Sequence, residues 1–126
     1  MESIMKVSFR TGYIAVLGTV GTVLSLGGLF SPATAFSDKN LSVSALSNLR
    51  AFAAAEAMMA LFALYSLAKK HYQDAALIFL LISTIGWTIG QVISYFADGK
   101  PTSLVVIAIV VQAAFIPLTW MALKKK

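Results

Sequence analysis

No cysteine occurs in this 126-residue chain, and histidine occurs once, at His71. The first absence removes disulfides, thiolate metal sites, iron-sulfur clusters and cysteine nucleophiles; the second removes any multi-histidine metal centre. Charge is scarce as well. Aspartate and glutamate total 5 and lysine and arginine 10, together 12% of residues, whereas 59% are apolar and the mean hydropathy is +0.84. A chain this poor in polar residues cannot clothe a water-soluble globule, so its solvent is largely lipid. There is no Ser/His/Asp set, no cluster of metal ligands and no length for a separate soluble catalytic domain, so we expect neither an enzyme nor a cofactor.

What the sequence does hold is four apolar runs. A spanning helix needs about 20 residues to cross about 30 Å of hydrocarbon, and the runs at 11–30, 49–68, 75–97 and 104–123 are long enough. They predict an all-α fold: one transmembrane domain over residues 1–126, an integral membrane four-helix bundle running up-down-up-down. Pro32 closes the first run, and Asp38, Lys39 and Asn40 mark a polar connection over 31–47. Residues 41–49, apolar at 41, 43, 46 and 49, read as a turn or two of interfacial helix, with Ser44 or Ser47 to cap the next span. Asp74 is placed to cap the third. Asp98-Gly99-Lys100-Pro101 is a turn signal, and Pro117 predicts a kink in the fourth span.

Lys6 and Arg10 before the first run, with Ala33-Thr34-Ala35 after it, resemble a secretory signal and its cleavage site. The run of about 20 residues exceeds the usual ~7 to 15 of such a signal, so it is read as a membrane helix. With four spans, Lys6, Arg10, Lys69, Lys70, Lys124, Lys125 and Lys126 share one side, against Lys39, Arg50 and Lys100 on the other. That bias predicts both termini in the cytoplasm and a multi-pass protein of the cell inner membrane. The basic residues lie scattered at helix ends, which gives no nucleic-acid footprint.

Small residues recur on one side of the first span, at Gly18, Gly21, Ser25 and Gly28, a spacing that favours close helix packing in lipid; Gly86 and Gly90 form a second, shorter pair. Thr84, Thr88, Gln91 and Tyr95 follow one face of the third span. Three polar side chains lie at similar depth in three helices: Glu56, Gln91 and Gln112, with Thr22 and Ser25 near the same level and Arg50 and Asp98 at the rim above. Charge inside a span is costly, so each such group needs a partner. Arg50 and Glu56, six residues apart, point about 120° from one another and must each look to another helix. Gathered inward, Arg50, Glu56, Gln91, Asp98 and Gln112 would form a polar pocket in the outer half of the bundle. The plainer reading makes Arg50 a snorkelling side chain and the two glutamines interhelical glue.

Leu49-Arg50-Ala51 opening the second span, Gly90-Gln91-x-x-Ser94 in the third, Asp98-Gly99-x-Pro101 after it and a polar residue at Gln112 together resemble a family of small four-helix bacterial membrane proteins, domain of unknown function 4345. The resemblance covers nearly the whole chain, most clearly from residue 46 onward. It implies a fold and a membrane location and no established activity. The family typically has Gly-Arg where this chain has Gly90-Gln91, and a glutamate near Gln112; both positions are neutral amides here.

Two functional classes follow. The first is a membrane protein that binds a small amphipathic or lipid-like molecule, or a membrane partner, through the polar layer, with a second copy of the chain as a further candidate partner. The alternative is a small proton-coupled transporter using Glu56, similar in length and span number to small multidrug exporters.

Overall fold

The computed structural model describes residues 8–31 and 40–125. Among them four helices follow in order: α1 (Phe9–Phe30), α2 (Val43–Ala68), α3 (Gln73–Asp98) and α4 (Ser103–Lys124), with a single 3-10 turn, Lys70–Tyr72, between α2 and α3. All four are long and apolar enough to cross a membrane. The expectations resting on Lys6, Pro32, Ala33-Thr34-Ala35, Asp38, Lys39 and Lys126 lie outside the described residues.

Helix ends differ from the sequence reading where local hydrogen bonding decides them. Ser42, rather than Ser44 or Ser47, caps α2: its hydroxyl accepts from the Ala45 N–H at 3.1 Å. The interfacial turns over 43–49 are therefore continuous with the span. The resulting 26 residues make a helix about 39 Å long, more than the hydrocarbon thickness requires. Asp74 does not cap α3. It lies inside the first turn, because the 3-10 turn, closed by the Tyr72 N–H donating to the Lys69 carbonyl at 2.9 Å, runs straight into that helix. After α3 the chain reverses at Gly99, whose φ of 108° is open to glycine and strained for other residues. Pro117 sits inside α4, which continues past it to Lys124.

By its internal packing the chain divides into two units, Met1–Gln73 and Asp74–Lys126. In the first, α1 and α2 pack as an antiparallel pair, since Gly18 and Gly21 meet Leu64 and Ala60 while Leu29 meets Arg50. Their seam is made of small residues. On α1, Ile14, Gly18 and Gly28 are buried; on α2, Ala53, Ala57, Ala60 and Ala63 follow the three- and four-residue steps of one helix face. A Cβ built on Gly18 would lie 2.7 Å from the Leu64 side chain and 3.3 Å from the Ala60 carbonyl oxygen. The backbones can approach this closely only because glycine stands there.

In the second unit α3 and α4 form a hairpin around Gly99. Toward that turn they carry Val, Ile, Tyr and Phe, and the few enclosed side chains, Ala76, Leu77, Thr119 and Ala122, lie at the far end of the unit. Gly86 and Gly90 stand open: no neighbouring atom lies within 4 Å of a Cβ built at either.

Candidate functional site

Hydroxyl groups within the helices are largely satisfied by their own backbone. Thr22 donates to the Gly18 carbonyl at 2.6 Å, Ser66 to Ala63 at 2.6 Å, Ser83 and Thr84 to Leu80 at 3.2 and 2.7 Å, and Thr88 to Thr84 at 2.8 Å. Such back-bonding satisfies a short side chain without any second helix. The polar face read along α3 thus shrinks, because Thr84 and Thr88 are occupied locally.

Longer side chains remain. The Oε1 atoms of Gln91 and Gln112 are buried with no hydrogen-bond partner among the described residues. Gln91 lies seven residues before Asp98, about 10 Å along α3, and Gln112 nine residues after Ser103, about 14 Å along α4. They stand at similar depth from the Gly99 turn. A buried amide oxygen without a donor costs about 1–3 kcal/mol, so both positions call for a partner.

Arg50 and Asp98 each have one. Arg50 Nη1 donates to the Leu29 carbonyl oxygen at 3.0 Å, which satisfies one of the carbonyls left open in the last turn of α1. That turn has no basic residue of its own; Arg50 brings a positive charge to the negative end of the α1 dipole. The residue that the sequence sends to another helix therefore finds backbone there. Asp98, exposed at the end of α3, accepts from the Ser94 hydroxyl at 2.8 Å.

Glu56 is half-buried, six residues into α2 from the level at which Arg50 meets the end of α1. Arg50 and Glu56 flank the alanine stripe on opposite sides. Glu56 has no hydrogen-bond or ion-pair partner among the described residues.

Two features were not apparent in the sequence. Arg10, counted there as a flanking cation, is buried, 8% exposed, and Ser66 and Gln73 are buried in the same unit. The polar burial of the α1–α2 pair thus concentrates toward the end opposite Arg50. A sequence signal existed for Arg10: it precedes Ile14 and Gly18 by four and eight residues, on the same helix face. The second feature is a cleft of about 190 Å³ between the last turns of α3 and the first turns of α4, lined by Gln91, Val92, Tyr95, Phe96, Val106, Ile109 and Val110. Its open wall is apolar, and Gln91 contributes its stem while its amide oxygen is buried. No group of three or more potential metal ligands comes together among the described residues.

Compared with known proteins, the chain matches the family model described as Domain of unknown function (DUF4345) over residues 9–123. No curated protein and no solved structure matches it.

Proposed function

This chain belongs to the DUF4345 family, and we propose that it is a multi-pass membrane protein without enzymatic activity that binds a small amphipathic or lipid-like molecule. The orientation we propose puts both termini in the cytoplasm of a cell whose inner membrane holds the protein, on the strength of seven basic flanking residues against three. The Gly99 turn and the cleft then lie in the outer half. The single observation that carries the reading is the cleft between α3 and α4, apolar in its wall and open along a membrane-spanning hairpin. Such a slot accepts the end of an acyl chain or a small ring against Val, Ile, Tyr and Phe side chains.

The test is native mass spectrometry of the full chain gently released from membranes. Wild type retains a co-purifying lipid or metabolite, Val106→Phe fills the cleft and loses it, and Gly86→Ala, whose added Cβ meets nothing within 4 Å, keeps it. A wild type with no adduct, or equal retention by Val106→Phe, overturns the proposal.

One observation favours a second reading. Glu56 is a half-buried carboxyl in mid-span without a partner among the described residues, and intramembrane carboxyls serve proton relays in transporters. If it couples transport to protons, Glu56→Gln abolishes resistance to toxic cations and substrate-induced proton release; if both persist, the transporter reading fails.

A further inference from the structure

We infer that the connection between α2 and α3 is a headgroup site for an anionic phospholipid of the adjoining leaflet. Lys69 and Lys70 are consecutive, exposed, and followed by exposed His71 at the end of a 26-residue apolar helix. Neither lysine has an acidic partner among the described residues.

The backbone beneath them is held. The Lys69 N–H donates to the Tyr65 carbonyl at 3.1 Å, the Tyr72 N–H donates to the Lys69 carbonyl at 2.9 Å, and Gln73, which donates to the Lys70 carbonyl, is buried. Beside the lysines stands an aromatic shelf. Tyr72 lies with ring centroids 5.9 Å from Tyr65, 5.8 Å from Phe62 and 4.0 Å from His71, and both tyrosines keep open surface.

Two ammonium groups with no acidic partner among the described residues, in the turn that carries these amphipathic rings at the end of a spanning helix, match a phosphate with its glycerol and first methylenes: the lysines take the phosphate and the rings cover the ester region. The end of α4 is different. There Lys124 rests 5.0 Å above the Trp120 ring, so part of its interaction is already made within the chain. A merely topological excess of positive charge would treat the two lysine clusters alike. A built site does not.

The experiment uses the full chain in phosphatidylcholine nanodiscs titrated with phosphatidylglycerol, with bound lipid counted by native mass spectrometry. K69Q/K70Q is expected to weaken phosphatidylglycerol retention about 25-fold, at about fivefold per lysine near an anionic surface, and K124Q/K125Q less than about fivefold. Circular dichroism should show the helices of both variants intact. Equal losses in the two variants, equal retention of phosphatidylcholine by wild type, or displacement of the lipid by millimolar inorganic phosphate would each overturn the site, the last assigning it to a soluble anion.

Discussion

The α1–α2 pair and the α3–α4 hairpin are built from helices of matching lengths, 22 and 26 residues in each, yet they pack differently. The first brings glycines against an alanine stripe, so close that a single added Cβ at Gly18 meets Leu64 at 2.7 Å. The second, near Gly99, carries β-branched and aromatic residues on both helices around a cleft. In lipid no hydrophobic force drives helices together, so association depends on how closely the backbones approach. Side-chain size at the seam therefore separates a structural pair from a pair with room for a guest.

The strongest way to break that contrast is to fill the tight seam. Gly18→Leu should destabilise the protein by about 3 kcal/mol through overpacking, read as a shift in an unfolding titration in detergent micelles. Adding Leu64→Ala should recover part of the loss; no recovery would mean that the two residues do not meet. Next in size is Arg50→Ala, which removes a charged donor from the Leu29 carbonyl and should cost about 1.5 kcal/mol, with Arg50→Lys recovering part. Ser42→Ala should cost about 1 kcal/mol and fray the early turns of α2, seen as faster amide exchange over 43–46. The smallest effect has the opposite sign. Gly86→Ala and Gly90→Ala, on a face with nothing within 4 Å, should each stabilise by about 0.5–1 kcal/mol through helix propensity alone.

Much of the architecture was legible because it rests on local signals. Length and hydropathy mark the four helices, and Asp98-Gly99 announces the reversal that Gly99 makes with positive φ. The early start of α2 was obscured by its serines, since Ser42, Ser44 and Ser47 compete as caps and only three-dimensional geometry chooses. The polar layer was less legible. Composition weighs Thr84, Thr88 and Gln91 alike, but the threonines reach their own backbone while the glutamine oxygen does not. Arg50 shows the same limit: its need for a partner is readable, but the partner is a carbonyl 21 residues away, and a backbone atom leaves no trace in residue identity. The cleft depends on how large side chains mesh, which spacing does not encode.

The hairpin is proposed to accept a lipid-like guest where the glycine–alanine pair is closed. This is tested most directly by exposing membranes containing the intact protein to a diazirine-bearing fatty acid, irradiating, and mapping adducts by peptide sequencing. Adducts are expected to concentrate on Val92, Tyr95, Phe96, Val106 and Val110 and to be absent from Gly18, Gly21, Ala57 and Ala60. Adducts spread evenly along the outward faces of all four helices, or entering the α1–α2 seam, would contradict it.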